Sequence, residues 1–387
     1  MYLKLSAAFI ILIMINSACN NNGKENKTTA AVVDATQPAS IDINPDSVLF
    51  SFVFMGCNRL DHKQVQNDNP STANLPQLQR TFEEVCLLNP KPTFYFFLGD
   101  MVLGLDQNLS KLQKELKAWR NLYADTSFSN ISTSGIQMIA VPGNHEMLFY
   151  DKSIDYEQPN TGAMAIWNKE MKDFMPAGSI NVNHIGGNDS LTNLATFSFD
   201  YLNTHFIIIN TDTYDTSHTI GMAPAAWISA DIVAARNNPS IKHIYLLGHK
   251  PAVVSDGLYQ PGGESIMDMS VIKAIWPVMD SNKVEAMLSA HSHQYYRTQP
   301  DPKMSYQIIA GNGGSPYEGD IEHSTDTTHQ FFGYTIIYVM KNGNSILKTM
   351  GRTALPKTYS QPIPPGTPTT VRDIANISWG TKALPFH

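Results

Sequence analysis

The most constraining feature of the sequence is a series of short, continuously apolar runs, each of which ends at a glycine or a proline. The first three lie at 48–55, 93–98 and 136–141, and segments with apolar residues at helical spacing, 75–88 and 109–123, separate them. Such runs, rich in Phe, Ile and Val, are typical of strands buried on both faces. Strands that alternate with helices favour an α/β sheet. We therefore predict strand, helix, strand, helix, strand here.

The second half of the chain continues the pattern. The predicted elements are a hairpin of strands 197–200 and 205–210, helices over 225–236 and 268–280, and strands over 241–247, 284–288, 307–310 and 334–340. The length of 387 residues suits one large domain or two smaller ones, and 42% hydrophobic residues suffice for a sizeable core. We place one domain at 47–352, with an insertion near the site at 147–195 and a C-terminal tail at 353–387 that wraps the surface or is loose.

The first residues have the pattern of an export signal. Lys4 precedes an apolar run over 7–15, which is shorter than the roughly 20 residues of a membrane-spanning helix. A pair of small residues then stands directly before Cys19, which resembles a bacterial lipobox, although Asn16 departs from it. We predict a lipoprotein-type signal peptide at 1–19, a flexible tether at 20–46, and an exported, lipid-anchored protein in the periplasm or on the cell surface of a bacterium. The alternative is a simple signal peptide with an incidental Cys19.

The charge of the chain limits its partners. A formal net charge of -7 argues against binding to duplex nucleic acid, because phosphate backbones attract basic surfaces. It leaves a small-molecule or nucleotide-like phosphate ester possible, since bound metal ions can supply the missing positive charge. The predicted partners are therefore such an ester and, through Cys19, a membrane; the sequence indicates no partner protein.

Polar side chains follow the predicted strands at the point where each strand ends. These positions are Cys57-Asn58-Arg59, Asp100, Asn144-His145-Glu146, His249, and His291 with His293. In open α/β sheets, ligands gather at the carboxyl ends of the strands. The sequence therefore predicts that these side chains converge on one site.

Four of these turns carry a resemblance. Gly99-Asp100, the run Gly143–Glu146, Gly248-His249 and the run His291–His293 occur in this order. They resemble the second to fifth motifs of the calcineurin-like metallophosphoesterase superfamily. The resemblance implies an α/β fold of two packed mixed β-sheets flanked by helices, a four-layer sandwich. It also implies metal-dependent hydrolysis of phosphate esters by activated water.

The resemblance also implies a role for each site residue. Asp100 would bridge two metal ions; Asn144, His249 and His291 would complete the shell of one ion. His293 would bind the other ion. Carboxylate, amide and imidazole ligands suit Fe, Mn or Zn.

Two further residues match positions that are catalytic in this superfamily. His145 would act near the leaving group, either stabilising charge there or donating a proton. Glu146 would orient the His145 ring.

The first motif departs from the family pattern. Members usually have Asp-x-His after the first strand, where this chain has Cys57 and Arg59. Three interpretations remain. Cys57 could bind a metal as thiolate, with Arg59 contacting substrate phosphate; Asp61 or His62 could loop back as a ligand; or only one metal binds and catalysis is weak or absent.

The predicted function is hydrolysis of phosphate esters, with mono- and diesters both compatible with the sequence. The alternative is a catalytically impaired surface lipoprotein that binds metal or phosphate, which the altered first motif supports and His145 opposes. A disulfide between Cys57 and Cys86 is not expected. Cys57 ends a predicted strand at the top of the sheet, whereas Cys86 lies near the end of the helix that runs back down. Three helical turns of 5.4 Å each would place the two cysteines about 15 Å apart, which exceeds the reach of a disulfide.

Overall fold

The computed structural model describes residues 41–61, 74–177, 180–186, 194–253, 266–299, 304–315, 329–352, 366–382 and 386. Its strands are β1 (Val48–Met55), β2 (Phe94–Leu98), β3 (Gln137–Val141), β4 (Leu148–Asp151), β5 (Tyr156–Pro159), β6 (Ile180–His184), β7 (Phe197–Tyr201), β8 (Thr204–Ile208), β9 (His243–Leu247), β10 (Ala286–Ser289), β11 (Tyr295–Thr298), β12 (Tyr306–Ala310), β13 (Phe332–Met340), β14 (Ser345–Arg352) and β15 (Thr370–Asn376). Its helices are α1 (Asn74–Cys86), α2 (Leu109–Ala124), α3 (Asn144–Met147), α4 (Ala163–Glu170), α5 (Ala225–Asn237) and α6 (Met269–Ser281).

Two large mixed sheets form the centre of the fold. The first has the strand order β15-β14-β13-β1-β2-β3, and the second has the order β11-β12-β10-β9-β8-β7-β6. Helices α1, α2 and α4 pack on the outer face of the first sheet, and α5 and α6 pack on the outer face of the second. The predicted α/β fold of two packed sheets flanked by helices is confirmed.

The apolar runs explain the layering, because successive side chains of a strand point to opposite faces. In β1, Val53 and Met55 pack toward the helices of the first sheet, whereas Phe52 and Phe54 pack between the two sheets. Phe206 of β8 meets Phe52 edge-on, with ring centroids 5.1 Å apart. A strand buried on both faces needs apolar residues at every position, which is the pattern of the sequence.

Parallel pairing brings the polar turns together. Strands β1, β2 and β3 are parallel neighbours in the first sheet. Strands β8, β9, β10 and β12 are parallel neighbours in the second. Their carboxyl ends carry the turns that the sequence singled out.

The segments outside the predicted domain have different outcomes. The lipoprotein-type signal at 1–19 and most of the tether at 20–46 lie outside the described residues, so export and anchoring at Cys19 stay predictions. In the part of the chain that the structure describes, no helix has the length and apolar character needed to cross a membrane.

The C-terminal tail contributes to the fold through β15, which the sequence reading of a loose or surface-wrapping segment did not anticipate. This strand pairs with β14 at the edge of the first sheet. Its Asp373 accepts hydrogen bonds from the Tyr295 hydroxyl and from Arg297 Nε, both at 2.6 Å, and from Arg297 Nη2 at 3.0 Å. Because Tyr295 and Arg297 belong to β11, this buried ion pair joins one edge of each sheet.

We expect Asp373→Asn to destabilise the protein by about 3–5 kcal/mol. The substitution removes the counter-charge facing a buried guanidinium, and the loss of one partner of a buried pair has this typical cost. Urea unfolding of both proteins measures the difference. The control is Asp125→Asn, at an exposed turn where asparagine keeps the acceptor oxygen for Ser127. A loss below about 1 kcal/mol would show that the pair contributes little.

Candidate metal centre

The backbone of the candidate site has an unusual conformation. Cys57, Arg59, Asp100 and His291 have φ angles of 61°, 57°, 55° and 66°, in the left-handed region that non-glycine residues seldom adopt. Such backbone costs free energy and is concentrated at functional sites. The turns after β1, β2 and β10 therefore adopt strained backbone conformations, and these conformations direct the four side chains into the site.

Four predicted ligands converge in the buried interior of the site. His249 Nε2 lies 3.1 Å from Asp100 Oδ1, 3.0 Å from Asn144 Oδ1 and 3.1 Å from His291 Nδ1, and His291 Nδ1 lies 3.2 Å from Asn144 Oδ1. Adjacent ligands about 2.1 Å from an octahedral ion lie about 3 Å apart. The spacing and chemistry of these donors therefore fit one metal ion.

The tautomer of His249 supports this assignment. Its Nδ1 lies 2.7 Å from the Leu98 carbonyl oxygen, which can only accept a hydrogen bond. The proton of a neutral ring is thus held on Nδ1, and the Nε2 lone pair faces the other three ligands. Metal-binding histidines commonly have their second nitrogen fixed in this way.

The charges of the site favour a cation. Burial alone would raise the pKa of Asp100, but the neighbouring His145, His249 and Arg59 hold it well below its usual range. Burial opposes the charged form of His249, yet Asp100 outweighs it and raises the pKa of His249 to about 9. A metal ion at this place would displace that proton, which couples metal binding to pH.

A second group of donors adjoins the first. Ligand atoms of Cys57, Asp100 and His293 all lie within 4.8 Å of one another, and the three side chains are buried. Asp100 belongs to both groups, as expected of a bridging ligand. Among the described residues, neither group includes Asp61; His62 lies outside them.

Cys57 is placed for a thiolate role. The backbone N–H of His291 donates to its Sγ at 3.1 Å, and hydrogen bonds of this kind favour the anionic form of sulfur. The structure has Cys57 and Cys86 as thiols without a disulfide. These contacts favour the first of the three interpretations of the altered motif.

Arg59 lies beside the second oxygen of Asp100. Its Nε donates to Asp100 Oδ2 at 3.1 Å, and 23% of its side chain is exposed. The guanidinium is therefore part of the site and is reachable from solvent, while the phosphate contact assigned to it stays a prediction.

The position of Glu146 corrects one expected role. Its carboxylate accepts hydrogen bonds from the backbone N–H groups of Gly143, Asp100, Met101 and Val102, at 2.8, 3.0, 2.8 and 3.1 Å. It therefore ties the turn after β2 to the turn after β3 and does not orient the His145 ring. The reason is partly local: a carboxylate at the third position of a helix reaches back to the N–H of the residue before it, here Gly143. The other three donors lie in the turn after β2, which packs against this helix start.

The Leu103 carbonyl is the group that orients His145. It accepts a hydrogen bond from His145 Nδ1, which leaves Nε2 facing Asp100 Oδ2 at 3.7 Å. Gly104 makes this approach possible, because a Cβ there would lie 1.7 Å from the His145 carbonyl oxygen. Burial, followed by the positive charge of Arg59, lowers the pKa of His145 to about 3.

Several buried polar residues at the site escaped the sequence reading. Glu157, Lys250 and Asp212 form a charged group behind Asn144. The amide of Asn312 is fully buried, and within the described residues neither of its polar atoms has a hydrogen-bond partner. Buried amides without partners are rare, so water or a ligand is expected beside this one. The only sequence signal was position: Lys250 directly follows the site residue His249, and Asn312 lies two residues after the end of β12.

Comparison with known proteins agrees with this geometry. A family model described as calcineurin-like phosphoesterase matches residues 62–295. No curated protein shows significant sequence similarity to the chain.

Solved structures share the fold, and two of them show the extent of the similarity. A purple acid phosphatase from yellow lupin (Lupinus luteus) seeds is similar with a TM-score of 0.53 and 16% identity, covering 82% of this chain and 54% of its own. PhoD is similar with a TM-score of 0.56 and 9% identity, covering 87% of this chain and 71% of its own. The chain thus spans about half the length of the lupin enzyme. At these identities the likeness concerns the fold alone.

Proposed function

The chain belongs to the calcineurin-like phosphoesterase family, and from this we propose that it is a metal-dependent hydrolase of phosphate mono- or diesters. The observation that carries the proposal is the convergence of Asp100, Asn144, His249 and His291, whose facing donor atoms lie 3.0 to 3.2 Å apart. We propose that Cys57 and His293 bind a second ion that shares Asp100. The donor set suits Fe, Mn or Zn.

Metal ions held by these residues would supply Lewis-acid chemistry and an activated water at neutral pH. The remaining steps fall to the side chains. Arg59 would pair with phosphate oxygens, because guanidinium and phosphate match in charge and geometry. His145 Nε2 would hydrogen-bond the leaving oxygen, and the negative charge of a bound ester would favour the imidazolium that donates the proton.

We expect His145→Ala to keep its bound metal and lose turnover by about 10²-fold, within the range for general acid catalysis. Asn144→Ala should lose metal instead, because it deletes a ligand. The measurement uses residues 20–387, loaded with Mn or Fe, with metal content by elemental analysis and turnover on aryl phosphate mono- and diesters.

The matched control is His218→Ala, an exposed histidine, which should change neither quantity. Metal loss in His145→Ala would refute its catalytic role. If the parent protein turns over substrate no faster than His145→Ala with every metal, the result would instead support a protein that binds metal or phosphate without hydrolysis.

A further inference from the structure

A chain of buried polar side chains lies behind the candidate metal centre. It runs from Asn144 to Glu157 of β5, then to Lys250 and Asp212. Glu157 lies within the predicted insertion at 147–195. All four are buried, although three of them are ionisable. Buried charges are rare because desolvation is costly, so this arrangement requires an explanation.

The first contact fixes the amide of Asn144. Its Nδ2 donates to Glu157 Oε1 at 2.6 Å, while its Oδ1 faces His249 and His291. The two ends of an amide are nearly equal in size, but only the oxygen can bind a cation. Because Glu157 Oε1 accepts the hydrogen bond from Nδ2, it selects the orientation in which Oδ1 faces the metal position.

The second contact anchors Glu157. The Lys250 ammonium lies 2.8 Å from Asp212 Oδ1 and 3.9 Å from Glu157 Oε2, with 2% of its side chain exposed. Asp212 is itself held by the Thr211 hydroxyl at 3.0 Å. The ammonium thus lies between the two carboxyl groups and fixes the position of Glu157 relative to Asp212.

We propose that Glu157 is a positioning residue for the metal centre: supported by Lys250, it holds Asn144 in its ligand orientation and sets the metal affinity of the Asp100–Asn144–His249–His291 site. This rests on the proposed function only in requiring that the site binds metal. Outer groups that orient metal ligands typically contribute 10- to 100-fold to affinity.

The test measures Mn²⁺ affinity by titration calorimetry of metal-free protein, without substrate. Glu157→Ala should weaken affinity by about 10- to 100-fold. Glu157→Gln, which keeps the size and one acceptor oxygen, should retain a larger part of it. At saturating Mn²⁺, Glu157→Ala should regain most of the parental kcat with unchanged KM, because excess metal selects the ligand orientation of Asn144.

Two comparisons separate positioning from a structural role. Glu83→Ala, at an exposed glutamate of α1, should leave Mn²⁺ affinity unchanged. Urea unfolding shows which variants are folded. If Glu157→Ala does not fold, the test uses Glu157→Gln, which should lose at least about threefold in Mn²⁺ affinity. Folded variants with parental Mn²⁺ affinity would overturn the inference. Reduced affinity would support it even if the parent hydrolysed none of the esters offered.

Discussion

Asp100→Asn should leave the protein without stably bound metal and lower turnover by at least about 10⁴-fold, since each lost ion removes several kcal/mol of transition-state stabilisation. Asp100 is the member common to both candidate ligand groups. Its carboxylate also faces His249 and Arg59, at 3.1 Å each. Asparagine has the same shape but brings no charge, and its one oxygen cannot serve both positions.

The prediction is checked by metal content after dialysis, with turnover and unfolding measured on the same samples. Asp125→Asn is the matched control, because it makes the same chemical change at an exposed turn residue that belongs to neither ligand group. The Asp100 carboxylate attracts Arg59 and His249. Its replacement therefore relieves no repulsion, and we do not expect the substitution to stabilise the fold. Two ions per chain in folded Asp100→Asn would exclude Asp100 as the bridge.

The strands were the most predictable part of the fold. The run over 48–55 is apolar at each position except Ser51, and β1 has these bounds. Such a continuous apolar run is difficult to interpret as anything other than a strand buried on both faces. β14 and β15 were missed because their sequences, such as that of Ser345–Arg352, mix polar and apolar residues. β14 pairs with β13, and β15 pairs with β14 only after an intervening segment of the chain.

The convergence of the site was predictable for a different reason. Turns after parallel strands of one sheet meet at one edge. Asp100 follows a strand of the first sheet, and His249 and His291 follow strands of the second, so the site also requires the two sheets to pack with these edges together. The groups that orient them were not predictable. The Leu103 carbonyl has no side-chain signature, and Glu157 reaches Asn144 only because the β4–β5 hairpin folds back over the site.

Glu146 shows the limit of reading a motif by its neighbours. The motif match implied contact with the His145 ring, whereas the carboxylate of Glu146 accepts from backbone N–H groups of two loops. Without the Glu146 carboxylate, each of those buried N–H groups would lose its hydrogen-bond acceptor. Glu146 therefore holds the two turns of the site together and is not a partner of the His145 ring.

Cys57→Ala should cost one of two bound metal ions and lower turnover by about 10³-fold, equivalent to about 4 kcal/mol of lost stabilisation. The Sγ atom is fully buried, receives the His291 N–H and belongs to a group with Asp100 and His293. Cys57→Asp, which introduces the residue usual in the family's first motif, should recover much of the activity. Aspartate also tolerates the φ of 61° at this position better than most residues.

The decisive measurement is optical, because a thiolate bound to Co²⁺ or Fe³⁺ gives a charge-transfer absorption band that carboxylates lack. The band should be present in the parent protein and in Cys86→Ala, the matched control at the other described cysteine. It should be absent from Cys57→Ala and from Cys57→Asp, even where Cys57→Asp turns over substrate. Two bound ions and an unchanged spectrum in Cys57→Ala would show that the sulfur only packs against the His291 backbone. The softer ligand would then have no part in choosing the metal.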